Sequence, residues 1–229
     1  MPKQIFVEMT FTTELLGTAS NNAELHSEFI ASKAPDAPSR EEEVAAIGAV
    51  EHEEKGMTVF PRNAKGEPVL WNYQIEGFFK ESAQMLRRAD DSLSKKMKAY
   101  RKTVDGGIKV FPRQVALELP PRGFVGDLQR PLRASTAQGE RVALAHSETV
   151  PAGTRCRFVV DVANRADVPT VIEWLEYGAV HGMGQWRNAG HGRFVFKAAN
   201  VDTGEVLADN TASDPDADAL DVIARMSGR

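Results

Sequence analysis

The chain has 229 residues, enough for one elaborated domain or two small ones with a sizeable core, and it needs no disulfide or metal staple. No apolar run is long enough to span a membrane, and the first residues lack the apolar block of a secretory signal. We therefore expect a cytoplasmic protein without a membrane partner. The net charge of -4, from 28 basic and 32 acidic residues, does not by itself favour a nucleic-acid partner.

The charges are unevenly distributed along the chain. Residues 1–79 carry 6 basic and 13 acidic groups, whereas residues 80–113 carry 10 basic and 4 acidic groups. A basic middle between acidic ends is consistent either with the solvated face of a helix or with a surface for nucleic acid. Charge alone leaves both interpretations open.

The first predicted strand runs from Gln4 to Phe11, where apolar residues alternate with polar ones. An insertion is predicted over residues 12–70. It contains a turn at Gly17, helices over 22–33 and 39–47, and a short strand over 56–61.

An amphipathic helix is predicted over 73–88, followed by a basic helix or turn over 93–102 and strands over 108–111 and 115–119. Residues 120–153 contain too many Pro and Gly residues for a core element, yet residues 141–145 alternate as in a hairpin. We interpret this stretch as a protruding β-hairpin arm.

A strand is predicted over 155–162, followed by a helix capped by Asp167, a glycine loop and a last strand over 193–197. Without its insertions this order is βαββαβ, so the predicted fold class is α+β with a ferredoxin-like, RRM-like core. We assign residues 1–200 to one elaborated domain. Residues 201–229 are predicted to be an acidic, weakly structured tail.

The glycine loop from Gly182 to Gly192 reads G-x-G-x5-G-x-G and follows a helix, which excludes a dinucleotide fingerprint. Glycine permits close backbone approach and positive φ, and successive free N–H groups bind anions. Arg187 and a protonated His191 would add cationic contacts, and Trp186 is a candidate for base stacking. The pattern is also compatible with a plain tight loop.

This loop resembles the glycine-rich signature of the RAMP superfamily, the RNA-binding proteins of CRISPR systems. The segment GEPVLWNYQIEGFFKESAQMLRR is similar to a family segment in which a short extended piece leads into a helix that opens with Gly or Ser, then Lys, then Arg. Gly77, Lys80 and Arg87 take these three positions. TTELLGTASNN resembles the family's turn after the first strand, where the glycine is Gly17. The insertion and arm are most similar to the backbone subunit of effector complexes, or to a viral or mobile-element relative.

The resemblance implies a subunit that binds single-stranded nucleic acid, RNA or DNA, and oligomerises head to tail along it. Arginines mixed with Phe124 in the arm are typical of single-strand binders. The predicted nucleic-acid-binding residues are Gly17, Lys80, Arg87, Arg88, Arg122, Phe124, Arg130, Arg133, Arg141, Gly182, Gly184, Trp186, Arg187, Gly190, His191 and Gly192.

Catalysis is not assigned. His26 and Asp36 are the candidates in the region where the resemblance would place a catalytic residue, and neither has an evident partner to position it. A metal-independent endoribonuclease using His26 as general base and an assembly protein that binds no nucleic acid remain as alternatives. The histidines lack metal-ligand spacing and the single Cys156 is predicted to be core, so neither a metal nor a cofactor is expected.

Overall fold

The computed structural model describes residues 3–20, 57–136 and 139–227, with the backbone alone in the stretch 131–144. The strands are β1 Lys3–Phe11, β2 Leu15–Leu16, β3 Ala19–Ser20, β4 Met57–Val59, β5 Val69–Trp71, β6 Ile108–Phe111, β7 Gln114–Ala116, β8 Gly126–Thr136, β9 Gly139–Val150, β10 Arg155–Val162, β11 Phe194–Asn200 and β12 Val206–Asp209. The helices are α1 Asn72–Leu86, α2 Tyr100–Gly107, α3 Val168–His181 and α4 Pro215–Ser227, with 3₁₀ turns at Leu93–Lys96, Arg165–Asp167 and Arg187–Ala189. The helices predicted over 22–33 and 39–47 lie outside the described residues.

The central sheet has five strands in the order β12-β11-β1-β10-β6, and each neighbouring pair is antiparallel. Helix α1 connects β1 towards β6, and α3 connects β10 to β11. The last core strand therefore lies beside the first, the first beside the third, and the third beside the second. This is the split βαβ arrangement of a ferredoxin-like fold, so the predicted α+β class is confirmed.

The period-two alternation of β1 explains its place in the centre of the sheet. Ile5, Val7, Met9 and Phe11 are fully buried, while the residues between them face the opposite side. Strand β10 alternates in the same way. One face of the sheet is therefore apolar and lies under the helices, as the sequence predicts.

Helices α1 and α3 cover this apolar face through their aromatic residues. The rings of Phe79 and Trp174 have centroids 5.7 Å apart. The Trp174 indole donates from Nε1 to Ser94 Oγ at 2.8 Å, which satisfies the buried donor. Trp71 and Trp174 are fully buried and belong to the core.

Cys156 is also a core residue. It is fully buried on β10. Burial, with a smaller contribution from Glu118, raises the pKa of its thiol to about 12. The thiol is therefore protonated at neutral pH, as expected for a small apolar side chain rather than a nucleophile.

The predicted arm contains a hairpin. Strands β8 and β9 pair from Gly126 opposite Thr149 to Thr136 opposite Gly139. The base of β9 also joins a second sheet in the order β2-β9-β4-β3. The arm is thereby connected to the turn that follows β1.

The prediction of a weakly structured tail after residue 201 is wrong. Strand β12 pairs with β11 and extends the central sheet. Helix α4 begins where Asp214 Oδ1 accepts from the amides of Asp216 and Ala217, each at 3.2 Å. Pro215 occupies the first helical position, which favours the start of a helix.

Two local predictions also differ from the structure. The basic helix or turn predicted over 93–102 is a 3₁₀ turn at Leu93–Lys96 followed by helix α2, which continues through Gly107. Asp167 precedes α3 but makes no capping hydrogen bond with its side chain. Asn164 Oδ1 instead accepts from the Ala166 amide at 3.2 Å and caps the preceding 3₁₀ turn. Among the described helices, none has the length and apolar character needed to cross a membrane.

Candidate nucleic-acid interface

The glycine loop connects the end of α3 to the start of β11 through backbone of positive φ. Gly182, Gly184, Gly190 and Gly192 have φ between 73° and 87°, and Trp186 has φ 54°. Left-handed backbone is accessible to glycine without steric cost, whereas a side-chain-bearing residue pays for it. The glycines therefore allow the chain to reverse direction here, whereas Trp186 adopts a strained backbone conformation in the same loop.

Two of these glycines are required by close approach as well as by φ. A Cβ on Gly192 would lie 2.0 Å from the Met183 carbonyl oxygen, and one on Gly182 would lie 2.4 Å from the His191 oxygen. The Met183 amide donates to the Gly192 carbonyl at 3.0 Å, which closes the loop on itself. A Cβ on Gly190, in contrast, would have no heavy atom within 4 Å.

The loop rests on the turn that follows β1. The Gly192 amide donates to the Glu14 carbonyl at 2.8 Å, and Gln185 Nε2 donates to the Gly17 carbonyl at 2.9 Å. Gly17 is itself packed closely, because its Cβ would lie 2.5 Å from the Val59 carbonyl carbon. Its amide donates to the Glu148 carbonyl in β9 at 2.9 Å. The structure thus brings together Gly17 and the glycine loop, two segments that the sequence predicted separately.

The expectation that successive free N–H groups of this loop bind an anion is wrong for five of its amides. These amides donate to backbone carbonyl oxygens of the protein at 2.7 to 3.0 Å, and belong to Gly182, Met183, Ala189, Gly190 and Gly192. A backbone donor already paired inside the fold is not available to a phosphate. An anion at this loop could therefore be contacted only by its other amides and by its side chains.

Trp186 is partly exposed, and the side chains of Arg130 and His191 contact its ring. The Arg130 guanidinium carbon lies 5.9 Å from the ring centroid, within cation–π range. The His191 ring meets the indole edge to face at 6.2 Å. Arg187 follows directly in the chain. We call Arg130, Trp186, Arg187 and His191 the Trp186 cluster.

Arg187 is held by a partner that the sequence did not reveal. Its guanidinium Nη2 donates to Glu81 Oε1 on α1, across 106 residues of sequence. Both side chains are partly exposed, so the pair is worth at most about 1 kcal/mol. Glu81 therefore neutralises the positive charge of Arg187 and adds little to the stability of the fold. No local sequence signal predicts this contact, because the two residues meet only in the folded chain.

The predicted residues on α1 lie on the same helix as Glu81. Lys80 pairs with Asp105 of α2, and the Arg87 guanidinium carbon lies 5.1 Å from the Tyr100 ring centroid. Arg88 is exposed at the end of the helix. Arg88 lies in the turn after the helix ends at Leu86, and five residues of helix separate Glu81 from that end, a rise of roughly 8 Å. The basic end of α1 is therefore within about two helical turns of the Trp186 cluster.

The arm supplies the remaining predicted residues. Phe124 is 76% exposed and Arg122 is exposed with φ 65°. Arg133 lies opposite Val142 and Arg141 opposite Ala134 in the hairpin register. The description of these two arginines ends at their backbone, so their place in an interface stays a prediction.

The catalytic candidates His26 and Asp36 lie outside the described residues. Within the described ranges, no group of three or more His, Cys, Asp or Glu side chains could hold a metal ion. His146 is engaged with Asp127, whose Oδ2 lies 2.9 Å from His146 Nε2. The site that the described chain offers is thus a cationic and aromatic surface.

The topology and this surface define an α+β protein of ferredoxin-like, RRM-like fold with a hairpin arm beside a glycine loop. No family model and no curated protein matches the sequence. A chain of the type III-B Cmr-beta complex, solved by cryo-electron microscopy bound to cognate target RNA, is similar over 84% of this chain. The identity is 11%, the TM-score is 0.46, and the match spans 58% of that chain.

A chain of a type IV-B CRISPR complex is similar over 87% of this chain and 91% of its own length. The identity is 12% and the TM-score is 0.45. At these values, membership of the RAMP superfamily stays a prediction from the motifs.

Proposed function

We propose that this chain is a subunit that binds single-stranded RNA and assembles head to tail with further copies along the strand. The Trp186 cluster is the observation that carries the proposal. It presents the partly exposed Trp186 indole beside the guanidinium group of Arg130, with Arg187 as the next residue in the chain. Aromatic faces for bases and cations for phosphates are what single-strand binders combine.

Backbone strain at two of the predicted binding residues supports the proposal. Across the described ranges, the non-glycine residues with positive φ are Arg122 and Trp186, and both belong to the predicted binding set. Such conformations cost about 1–3 kcal/mol each and persist where the surrounding structure enforces them, commonly at functional sites. The enforced geometry turns the Trp186 ring towards Arg130 at the base of the arm.

The proposed path for the strand runs from the arm base, past Trp186, to the basic end of α1. Arg130, Trp186 and Arg88 mark its three parts. The choice of RNA, and the role of an effector backbone subunit, follow from the resemblance of the glycine loop to the RAMP signature. Since the catalytic candidates lie outside the described residues, cleavage is not part of the proposal.

The test is a titration of labelled single-stranded RNA by fluorescence anisotropy at several salt concentrations. Trp186→Ala removes a stacking surface worth about 1–3 kcal/mol, so we expect binding to weaken about 5- to 150-fold without a change in salt slope. Arg187→Ala removes one phosphate contact, so we expect the slope of log K against log salt to fall by about 0.7.

Arg165→Ala is the matched control, because it removes one exposed guanidinium from the turn at the opposite end of α3. The 14-residue helix separates the two ends by roughly 21 Å. The RNA affinity of Arg165→Ala should stay within about two-fold of wild type, because at this distance only a long-range charge effect acts. If Arg165→Ala and Arg187→Ala lose RNA affinity equally, the Trp186 cluster is not the RNA-binding site. Wild-type protein without any salt-dependent RNA binding would leave the assembly-protein alternative instead.

A further inference from the structure

The face of the central sheet opposite α1 and α3 carries an apolar row that crosses all five strands. Its register runs through the pairs Phe111 and Val159, Val159 and Phe6, Phe6 and Ala199, and Ala199 and Val206. Phe6 is 38% and Phe111 is 52% exposed. With strands about 4.8 Å apart, the row is roughly 19 Å wide. We call these five residues the open-face row.

Helix α4 carries a second apolar surface. Leu220, Val222, Ile223 and Met226 are between 48% and 66% exposed, and none of the thirteen residues of α4 is buried against the described chain. A helix of this length is marginal in water unless an apolar face is packed. We call these four residues the α4 stripe.

The stripe and the row do not cover each other within one chain. Asn210 ties the segment before α4 to β11: its Oδ1 accepts from the Phe196 amide at 2.6 Å, and its amide donates to the Phe196 carbonyl at 3.1 Å. Arg193 Nη1 then lies 3.4 Å from Asp216 Oδ1 at the start of the helix. These contacts direct α4 away from the row, which crosses β11 further on at Ala199.

We propose that the α4 stripe of one copy docks on the open-face row of the next copy. The two surfaces match in length, because a 13-residue helix is roughly 20 Å long. This inference rests on the self-assembly part of the proposed function and names the two surfaces that make the contact.

Acidic residues on α4 are matched by two lysines that flank the row, one of which, Lys109, also lies opposite Asp161 of β10. Helix α4 has three aspartates, Asp216, Asp218 and Asp221, against one arginine. Lys109 on β6 and Lys197 on β11 each stand two residues from a member of the row and are about half-exposed. Their acidic partners lie at a loose 3.6 Å, which leaves each ammonium able to meet a further carboxylate.

Each copy carries one stripe and one row, so the contact is heterologous. Such an interface adds copies in one direction and produces rings or open chains rather than closed dimers. It therefore gives the assembly a polarity, as a subunit that repeats along a single strand requires.

The test uses sedimentation velocity of RNA-free full-length protein over a wide range of concentrations. A stripe variant carries Leu220→Asp and Ile223→Asp, and a row variant carries Phe6→Glu and Phe111→Glu. All four positions are solvent-exposed, and circular dichroism checks that both variants remain folded. Wild type should at least double its average mass as concentration rises, whereas each variant alone stays monomeric.

The decisive sample is an equal mixture of the two variants. The stripe variant keeps an intact row and the row variant keeps an intact stripe, so the mixture should form a dimer and stop there. A mixture that stays monomeric overturns the inference, as does a stripe variant that assembles like wild type. A row variant that assembles normally but loses RNA affinity also overturns it, and assigns the row to RNA.

RNA binding is measured on the same variants. We expect both monomeric variants to bind short single-stranded RNA as wild type does at dilute concentration. If wild type and both variants bind no RNA while the mixture still forms a dimer, the proposed RNA function is refuted and the docking inference stands.

Discussion

Gly192→Ala tests whether the glycine loop is built on close backbone approach. The new Cβ would lie 2.0 Å from the Met183 carbonyl oxygen and 3.0 Å from its nitrogen, both backbone atoms. Left-handed φ adds about 1–2 kcal/mol for a non-glycine residue. Relieving the clash means giving up the hydrogen bonds to Met183 and Glu14, each worth about 0.5–1.5 kcal/mol. We expect a loss of roughly 2–5 kcal/mol in unfolding free energy.

Gly190→Ala is the matched control in the same loop. It has a similar φ of 87°, but its Cβ would meet no heavy atom within 4 Å. Only the conformational cost of about 1–2 kcal/mol applies. Urea denaturation followed by tryptophan fluorescence measures both variants against wild type. If Gly192→Ala is no more destabilised than Gly190→Ala, the close-approach account of the loop is wrong.

Three further predictions follow from particular contacts. Arg122→Gly relieves left-handed strain of about 1–2 kcal/mol at a glycine entropy cost of about 0.5–1 kcal/mol, so thermal melts should show a stabilisation of up to about 1.5 kcal/mol. The same variant should bind RNA more weakly, and unchanged affinity would exclude Arg122 from the interface. Glu81→Gln releases Arg187 and removes a negative charge, so anisotropy should show RNA binding tightened about two- to five-fold; weaker binding would mean that the ion pair positions Arg187. Burial raises the pKa of the native Cys156 thiol to about 12, so it keeps its proton up to that pH, whereas the unfolded thiol loses its proton above the ordinary pKa of 9.0. The unfolded state then binds fewer protons than the native state, so the free energy of unfolding should fall as pH rises between these two values. Relative to Cys156→Ala, the fall should be at most about 1.4 kcal/mol per pH unit. Parallel pH profiles for the two proteins would contradict the assignment of Cys156 to the core.

The core elements could be predicted because their signals are local. The alternation around Val7 specifies both a strand and its buried face, and the apolar spacing from Ile75 to Phe79 specifies α1. The order of these elements then leads to the ferredoxin-like topology, since few sheets accommodate a βαββαβ chain.

The details of the binding surface could not be predicted in the same way. The positions of the glycines follow from the sequence, but the use of the Gly192 amide depends on Glu14, which is distant in the chain. The contacts of Trp186 with Arg130 and of Arg187 with Glu81 have the same origin. They arise from tertiary packing, for which a single sequence carries no spacing rule.

The tail was predicted wrongly because acidic composition outweighed local helix signals. Asp214 and Pro215 form a cap and first helical position, and Leu220, Ile223 and Met226 recur at helical spacing after them. These signals correctly indicate α4. Its exposed apolar residues also show that a segment rich in aspartate can still form an amphipathic helix.

Photo-crosslinking of labelled single-stranded RNA to the wild-type protein, mapped by mass spectrometry, tests the central claim most directly. Cleavage after Arg165 and Arg187 isolates residues 166–187, a peptide in which Trp186 is partly exposed and Trp174 is fully buried. We predict that this peptide carries a major crosslink, at Trp186. Crosslinks confined to other peptides, such as those that contain Phe6 or Phe111, or no crosslink at all, would contradict the account.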